Sequence, residues 1–370
     1  MTTESLTIPL ARTHDAPPLV ARSLDTYRLL GRSGLRISPL ALGTMTFGPD
    51  WGWGAARNEA RNMFDTYVQR GGNFIDTANN YTSGTSERFV GEFVRDRREQ
   101  LVIATKYSCF TRAADPNSGG NHRKSMIASV EGSLRRLQTE YIDLLYLHVW
   151  DGTTPVEEIM RGLDDLVRTG KVLYVGISDT PAWQVARMQT IAALRGWAPL
   201  IALQIEYSLI ERTGERDLIP MARDMGLGVL PWSPLAKGVL TGKYTRSGLD
   251  HTDATETRRS IAKGSGVLSD RGLTIAEVVR AVAAEIGRTP AQVALAWTLL
   301  NPAVAAPIVG ARTVAQLEDN LGALEVTITD EQRARLEEAS AIDLGFPHEL
   351  LTRPRTRRHV FDGTRLENHT

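Results

Sequence analysis

Four side chains capable of acid–base chemistry follow apolar segments in the first half of the chain. Asp76 ends one apolar run, and Tyr81 comes five residues later. Two further apolar runs end in Lys106 and His148. A carboxylate, a phenol, an ammonium and an imidazole could together orient a carbonyl oxygen and protonate it while a hydride is added to the carbon. The set therefore predicts a carbonyl reductase.

The same chemistry predicts a role for each of the four side chains. Tyr81 is expected to donate the proton, provided that a nearby ammonium lowers its pKa. Lys106 is the candidate cation, and Asp76 is the candidate partner that keeps it charged and oriented. His148 is expected to hydrogen-bond the carbonyl oxygen and to fix its approach.

Short apolar segments alternate with amphipathic helical patterns along most of the chain. The predicted strands are residues 40–43, 74–76, 101–105, 142–147, 172–177, 200–204, 228–231 and 304–308, and helical patterns cover residues 58–70, 123–138, 155–169 and 216–225. Eight such units predict an α/β fold, a (β/α)8 TIM barrel with a parallel sheet buried on both faces. An open doubly wound sheet is the alternative, disfavoured because no Gly-x-Gly-x-x-Gly follows any strand.

Segments outside the repeat complete the predicted organisation. Residues 1–25 are polar and unpatterned and predict a flexible arm, and residues 26–345 form one barrel domain that begins with a β-hairpin at 27–38. A long loop after strand 7, from 232 to about 270, predicts a lid or binding loop. Residues 346–370 are expected to form a C-terminal tail over the barrel mouth.

Polar residues stand at the ends of six of the predicted strands. In a barrel of this kind the chemistry is carried by the C-terminal ends of the strands, which meet at one mouth. The residues at these positions are Asp76, Lys106, His148, Ser178, Gln204 and Trp232. Their agreement in position predicts one common site.

Composition excludes several classes of protein. The net charge is zero and the pI is about 7.1, which predicts no nucleic-acid or membrane-surface partner. No secretory pattern and no apolar run of about 18 residues is present, so a cytoplasmic protein is expected. The single cysteine, Cys109, fits a reducing compartment and is interpreted as inert. The seven histidines show no metal-binding spacing, so no metal is expected.

The residues described above resemble the aldo-keto reductase superfamily from Tyr27 to about Leu324. The Gly-Asn-Phe-Ile-Asp-Thr-Ala segment with Tyr81, the strand-end Lys106 and the Leu-His pair ending in His148 are similar to that family's Asp-Tyr-Lys-His tetrad. The Gly-Thr-Met-Thr-Phe-Gly start resembles a bacterial branch near aryl-alcohol dehydrogenase-like and potassium-channel β-subunit-like proteins. The resemblance implies the barrel fold and NADPH, or less often NADH, bound without a Rossmann domain.

The resemblance also implies three groups of cofactor contacts. Those expected around the nicotinamide are Gly43, Thr44, Met45, Asp76, Ser178, Asp179, Gln204 and Tyr207. Those expected around the pyrophosphate are Trp232, Ser233, Pro234, Leu235, Gly238 and Lys243. Those expected at the adenosine end are Gly310, Arg312, Gln316, Asp319 and Asn320.

Particular roles follow for four of these contacts. Tyr207 is expected to stack on the nicotinamide ring. Arg312 is the expected partner of a 2′-phosphate, and the helix start after it would offer amide groups and a favourable dipole to phosphate. Asp179 stands where the family usually has asparagine, and a carboxylate, unlike an amide, cannot donate hydrogen bonds to the carboxamide. Ser178 keeps its expected carboxamide contact.

Aromatic residues near the predicted strand tips suggest an apolar substrate pocket. They are Phe47, Trp51, Trp53, Tyr107 and Trp150. With no cation obviously placed to bind a carboxylate, the expected small-molecule substrate is an uncharged aldehyde or ketone. Two alternatives stay open, NAD(P)-dependent oxidation of a sugar hemiacetal and a cofactor-binding regulatory subunit. The composition is also compatible with a homo-oligomer.

Overall fold

A computed structural model describes residues 22–244, 246 and 258–364 of the 370-residue chain. Most of the predicted arm, part of the long loop and the last six residues therefore lie outside the described residues. The end of the arm is anchored to the barrel. The Arg22 amide donates to the Leu324 carbonyl oxygen at 2.9 Å, and Leu24 is buried in the core.

The strands form a hairpin and a nearly closed barrel. β1 Arg28–Leu29 and β2 Arg36–Ile37 pair antiparallel as predicted. The barrel strands are β3 Ala41–Gly43, β4 Phe74–Asp76, β5 Val102–Tyr107, β6 Ile142–Leu147, β7 Val172–Ser178, β8 Leu200–Glu206, β9 Gly228–Trp232 and β10 Ile308–Gly310. They pair in parallel in the order β10-β3-β4-β5-β6-β7-β8-β9. This topology confirms the (β/α)8 barrel.

The last strand differs from its predicted position. β10 begins immediately after Pro307, whose ring nitrogen has no hydrogen to donate to a sheet ladder. The preceding residues approach β9 instead, where the Ala305 amide donates to the Val229 carbonyl oxygen at 2.8 Å. The apolar run at 304–308 thus correctly predicts a contact with the sheet, but the strand itself lies a few residues later, at Ile308–Gly310.

Helices follow most of the strands and cover the outside of the barrel. They are α1 Arg57–Gln69, α2 Thr85–Val94, α3 Arg123–Leu137, α4 Val156–Arg168, α5 Ala182–Arg195, α6 Leu218–Met225, α7 Arg258–Gly264, α8 Asp270–Glu285, α9 Pro290–Leu299, α10 Val314–Leu321, α11 Asp330–Ala339, α12 His348–Thr352 and α13 Pro354–Phe361. The predicted helical patterns coincide with α1, α3, α4 and α6 to within two residues at each end. No helix in the described part of the chain is long and apolar enough to span a membrane.

The hairpin closes the N-terminal end of the barrel. Leu30 and Ile37 are fully buried there and pack in one cluster with interior residues such as Phe74 and Tyr146. A second, larger cluster fills the layer between strands and helices. Since the hairpin occupies the N-terminal end, a ligand has room at the C-terminal ends of the strands.

Alternation along the strands places the polar residues inside the barrel mouth. Side chains two residues apart on a strand share a face, so Asp76 lies one layer above the interior residue Phe74. In the same way Lys106 lies above Ala104 and Gln204 above Ala202. The sequence pattern therefore gathers these side chains in the uppermost layer of the interior.

The C-terminal tail lies against one side of the barrel. The Asp343 carbonyl oxygen accepts a hydrogen bond from Arg216 at 3.1 Å, and the His348 imidazole is 3.6 Å from the Asp217 carboxylate. α12 and α13 are exposed, and Phe346 has 84% of its surface accessible. None of the described tail residues lines the cavity at the mouth, so the described part of the tail does not cross it.

Candidate active site

A cavity of about 680 Å³ opens at the C-terminal ends of the barrel strands. Its walls come from the ends of β3, β4, β7, β8 and β9 and from the segments that follow β9 and β10. Three of the four predicted catalytic residues line it, namely Asp76, Tyr81 and His148. The fourth, Lys106, is fully buried just beneath the surface of the cavity.

The Lys106 ammonium makes three short polar contacts. Its Nζ lies 2.6 Å from Asp76 Oδ1, 2.8 Å from the Thr77 carbonyl oxygen and 3.2 Å from the Tyr81 hydroxyl. An ammonium has three N–H donors, and each has an acceptor here. The ion pair with Asp76 and the hydrogen bonds raise the pKa of Lys106 despite its burial, so the side chain stays charged.

Asp76 is bound on both carboxylate oxygens. Oδ1 faces Lys106, and Oδ2 accepts a hydrogen bond from Gln204 Nε2 at 2.9 Å. A carboxylate held from two sides cannot rotate away from the ammonium. Asp76 therefore fixes the Lys106 Nζ at hydrogen-bonding distance from the tyrosine hydroxyl.

A tight turn after β4 presents Tyr81 to the cavity. Thr82 and Ser83 follow it with φ angles of 45° and 55°, in the left-handed region. The Thr82 hydroxyl donates to the Phe47 carbonyl oxygen at 2.7 Å, which holds this conformation. The Tyr81 ring lies edge-on to His148, with centroids 5.9 Å apart, and 6.4 Å from Trp51.

The pKa of Tyr81 shifts in the direction opposite to the prediction. Burial raises this pKa above its ordinary value of 10.0, and the Lys106 ammonium opposes the rise without reversing it. The expectation that the lysine lowers the pKa below the ordinary value is wrong, because it left out the desolvation of the phenolate. Tyr81 is therefore protonated at neutral pH.

The pH dependence of the reaction follows from these shifts. Burial, reinforced by Lys106, lowers the pKa of His148 to about 3, so this imidazole is neutral over the whole working range. If Tyr81 is the proton donor of a carbonyl reduction, as the sequence predicts, the turnover number should be level from about pH 5 to 8 and should fall only at alkaline pH as the phenol loses its proton. A fall with its midpoint near neutral pH, measured in steady-state assays, would contradict this assignment.

Most residues predicted to contact a cofactor line the same cavity. Around the barrel mouth they are Gly43, Met45, Asp76, Ser178, Asp179, Gln204 and Trp232. In the segments after β9 and β10 they are Ser233, Pro234, Leu235, Gly238, Lys243, Gly310, Arg312, Gln316, Asp319 and Asn320. One continuous cavity thus brings together positions that are far apart in the sequence.

Two predicted cofactor residues do not reach the cavity. Thr44 is fully buried, and its hydroxyl donates to the Asp76 carbonyl oxygen at 2.9 Å. Tyr207 packs against Trp297 and bonds Glu215 at 2.8 Å through its hydroxyl. Tyr207 is three positions beyond the inward-facing Gln204, and this odd spacing turns it outward. Trp232, at the end of β9, does line the cavity.

Ser178 offers a hydrogen-bonding group with no partner within the described chain. Its hydroxyl is buried at the cavity wall and makes no hydrogen bond to the described residues. A buried hydroxyl without a hydrogen-bonding partner costs free energy, so a polar group of a ligand is expected to hydrogen-bond the Ser178 hydroxyl. This observation fits the predicted contact with a carboxamide.

Asp179 is held by the indole of Trp232. The Trp232 Nε1 donates to Asp179 Oδ1 at 3.0 Å, and Asp179 has a left-handed φ of 36°. Burial raises the pKa of the Asp179 carboxyl, and the nearby Glu206 raises it further, whereas the indole bond lowers it. Asp179 is thus a structural partner of the tryptophan beside the cavity.

The segment after β9 curls its backbone around one end of the cavity. Ala236, Lys237 and Gly238 have consecutive φ angles of 47°, 54° and 94°. The Ala236 amide donates to the Ser233 carbonyl oxygen at 2.8 Å, and the Gly238 amide donates to the Leu235 carbonyl oxygen at 2.9 Å, so these two amides are not available to an anion. At Gly238 an added Cβ would lie 3.0 Å from Lys243 Nζ, so glycine leaves room beside that ammonium. The Lys243 side chain, which lines the cavity, is a group here that fits the predicted pyrophosphate contact.

The helix start at the adenosine end does not offer the free amides that the sequence suggested. Glu59 Oε1 accepts from the Val314 amide at 2.8 Å, and the Thr313 side chain accepts from the Gln316 amide. The Arg312 amide donates to Gln316 Oε1 at 3.0 Å. The exposed guanidinium of Arg312 at the cavity rim, and not this helix start, is therefore the group available to a phosphate.

Three of the predicted substrate contacts are wrong in placement. Phe47 is fully buried against Phe93, and Tyr107 is fully buried with its hydroxyl 3.3 Å from the Asn121 carbonyl oxygen. Tyr107 follows the inward-facing Lys106 directly and therefore points out toward the helices. Trp150 packs against the outer core. Trp51 does line the cavity, and Trp53 packs against it with the rings tilted by 47° and their centroids 5.8 Å apart.

Some cavity residues were not among the sequence-predicted site. Asn80, Lys237 and Thr289 line the cavity, and so does Cys109, whose sulfur is 3.4 Å from His148 Nδ1. A histidine is therefore within reach of Cys109, but burial raises the pKa of its thiol, which fits the interpretation of this cysteine as unreactive. Its position three residues beyond Lys106 was the available signal. In the described ranges, no cluster of ligating side chains could hold a metal ion.

This barrel, with an acid–base cluster at its mouth and a long cavity running to the segments after its last two strands, is the architecture of the aldo/keto reductases. The aldo/keto reductase family model matches residues 39–341. The chain belongs to the aldo/keto reductase family, and it is an NAD(P)H-dependent oxidoreductase.

Curated relatives agree with this membership. A norsolorinic acid reductase of Aspergillus flavus is 39% identical over 341 residues, which is 89% of this chain and 84% of the relative. An aryl-alcohol dehydrogenase [NADP(+)] of Phanerodontia chrysosporium is 39% identical over 342 residues, covering 86% of each chain. A norsolorinic acid reductase B of Dothistroma septosporum is 38% identical over 350 residues, 92% of this chain and 86% of the relative.

Proposed function

We propose that this protein reduces an aromatic aldehyde or ketone to the alcohol with NADPH, with Tyr81 as the proton donor. The observation that carries the proposal is the chain of contacts from Asp76 through the Lys106 ammonium to the Tyr81 hydroxyl at the cavity. This chain supports the proposal because a protonated phenol, with the positive charge of Lys106 behind it, faces the cavity.

A nicotinamide cofactor held by the cavity residues would supply the hydride for the carbonyl carbon, and the carbonyl oxygen would then gain negative charge. Tyr81 gives its proton to that oxygen. Lys106, 3.2 Å from the phenol oxygen, stabilises the phenolate that remains. His148 lies beside Tyr81 at the cavity wall and fixes the oxygen by a hydrogen bond. The protein's own hydrogen bonds hold these groups in place, as those of Asp76 with Lys106 and Gln204 do, and fixed polar groups of this kind reduce the reorganisation that the reaction requires.

The preference for an aromatic substrate rests on the wall beside Tyr81. Trp51 lines the cavity, packs against the tilted ring of Trp53 and meets the Tyr81 ring edge-on. Aromatic rings in such arrangements pack well against a further flat ring. A relative named for aryl alcohols supports the same class of substrate.

The preference for NADPH rests on Arg312. Its guanidinium is exposed at the cavity rim, and within the described residues no carboxylate forms an ion pair with it. A planar, permanently charged group of this kind suits a 2′-phosphate, which NADH lacks. The name of one relative includes NADP(+), which supports the assignment.

Replacing Arg312 with alanine tests this role. We expect the KM for NADPH to rise by about 10- to 100-fold, the effect of losing one hydrogen bond to a charged group, with the KM for NADH little changed. Arg288, an exposed arginine paired with Glu325, provides a matched control as Arg288→Ala. An unchanged NADPH-to-NADH preference in Arg312→Ala would exclude the 2′-phosphate contact.

The function itself is tested with a panel of carbonyl compounds. Purified protein is mixed with NADPH or NADH and with aromatic aldehydes, diketones and aldoses, and the nicotinamide absorbance is followed. We expect oxidation of NADPH with aromatic aldehydes in preference to aldoses. No turnover with any member, together with tight cofactor binding, would refute the reductase proposal and favour a cofactor-binding regulatory subunit.

A further inference from the structure

Cys109 occupies a position at the cavity that the proposed mechanism does not use. It is the single cysteine of the chain, and its Sγ lies 3.4 Å from Nδ1 of His148. Both residues line the cavity beside Tyr81. Among the described residues, this thiol is the hydrogen-bonding partner of the His148 ring, which leaves Nε2 for a ligand.

The protonation states of the two groups determine how they can interact. Burial lowers the pKa of His148 to about 3, so the ring is neutral and carries one proton on one of its two nitrogens. Burial raises the pKa of the Cys109 thiol, so the sulfur keeps its proton. A neutral thiol and a neutral imidazole therefore share one hydrogen bond.

Two arrangements of that hydrogen bond exist, and they differ at the far side of the ring. If the thiol donates to Nδ1, the imidazole proton is on Nε2, which becomes a donor toward the cavity. If Nδ1–H donates to the sulfur, Nε2 is left as an acceptor. An imidazole nitrogen is a better acceptor than a thiol sulfur, so the first arrangement is favoured.

We propose that Cys109 is a positioning residue that holds His148 in the tautomer protonated at Nε2, so that this nitrogen donates to the carbonyl oxygen of the substrate. The role rests on the proposed carbonyl reductase function, because an oxygen that gains negative charge needs a donor and not an acceptor. Here the partner that sets the tautomer is the only thiol in the sequence.

The backbone around the pair supports a fixed geometry. The His148 amide donates to the Tyr107 carbonyl oxygen at 2.9 Å, and Asn79 Nδ2 is 3.5 Å from the Cys109 carbonyl oxygen. The Ser108 hydroxyl donates to the Val149 carbonyl oxygen at 3.2 Å and accepts from the Val149 amide at 3.0 Å. The segments that carry the thiol and the imidazole are thus joined on both sides of the contact.

The direct test is to determine the tautomer of His148 in the wild-type protein and in the variants Cys109→Ser and Cys109→Ala. Nitrogen-15 NMR distinguishes a protonated from an unprotonated ring nitrogen, and the His148 signals are assigned by their loss in His148→Gln. We expect Nε2 to be protonated in the wild type and in Cys109→Ser, whose hydroxyl is also a donor. In Cys109→Ala we expect a mixture of tautomers. A wild-type ring protonated at Nδ1 would overturn the proposal.

Kinetics of the same variants separate a positioning role from a merely structural one. We expect kcat in Cys109→Ala to fall by about tenfold, the effect of one neutral hydrogen bond, and Cys109→Ser to recover most of the activity. The affinity for NADPH, measured by fluorescence titration, should be unchanged in both. Full activity of Cys109→Ala would overturn the proposal. Wild-type protein without turnover but protonated at Nε2 would refute the reductase function and leave the tautomer assignment supported.

Discussion

Replacing Tyr81 with phenylalanine is expected to lower the turnover number for carbonyl reduction by about 100- to 10,000-fold, the usual contribution of a positioned proton donor. The hydroxyl is the group that gives up the proton, and Lys106 at 3.2 Å is placed to stabilise its anion. The phenylalanine ring keeps the edge-on packing against His148 and Trp51, so the cavity retains its shape. The loss should therefore appear in kcat, measured at saturating cofactor and aldehyde.

A matched replacement controls for the loss of a tyrosine hydroxyl elsewhere. Tyr27 bonds the Gly71 carbonyl oxygen at 3.1 Å on the exposed surface and takes no part in the cavity. Tyr27→Phe should keep the wild-type turnover number. NADPH affinity should also be unchanged in Tyr81→Phe. If Tyr81→Phe kept full activity with correct folding, another group would have to supply the proton.

Replacing Lys106 with methionine is expected to abolish the activity and to destabilise the fold by about 3–5 kcal/mol. The side chain of Lys106 is fully buried and that of Asp76 is 3% exposed, so methionine would leave a carboxylate buried with Gln204 but without its counter-charge. The free energy of unfolding, measured with denaturant, reports this cost. Methionine is chosen because its length and apolar character match the lysine stem.

The double variant Lys106→Met/Asp76→Asn distinguishes a charge effect from a packing effect. Asparagine is nearly the same shape as aspartate and brings no charge, so the double variant should be more stable than Lys106→Met alone while remaining inactive. A double variant as unstable as the sum of the two single ones would show that the ion pair is not the source of the loss. If Lys106→Met unfolded with the same free energy as the wild type, the stabilising role of the buried Lys106–Asp76 ion pair would be contradicted.

The positions of the main site residues could be predicted because a barrel imposes a simple rule. Asp76, Lys106 and His148 are polar residues at the ends of apolar strands, and alternation places them in the uppermost interior layer. The same rule excludes Tyr107 from the interior, because this residue is adjacent to Lys106 and points to the helices. The sequence thus contained the information to correct that assignment.

Other features depend on tertiary structure that no local pattern encodes. The pKa of Tyr81 is raised because the ring is buried, and burial of a loop residue is set by what packs around it. The contact between Cys109 and His148 joins two loops, and the bond between Trp232 and Asp179 joins the ends of two strands. The side chain that binds the amide at the start of α10 is Glu59 of α1, which lies 255 positions earlier in the sequence.

The most direct test of the account follows the hydride itself. Wild-type protein is given NADPH carrying deuterium at C4 of the nicotinamide, on either face in turn, together with an aromatic aldehyde, and the alcohol is analysed by mass spectrometry and NMR. We expect deuterium on the carbinol carbon from one of the two labelled faces, and we expect Tyr81→Phe to form the alcohol far more slowly. If the alcohol contained no deuterium with either of the two labelled cofactors, or if no alcohol formed at all, hydride transfer from NADPH to the carbonyl would be contradicted.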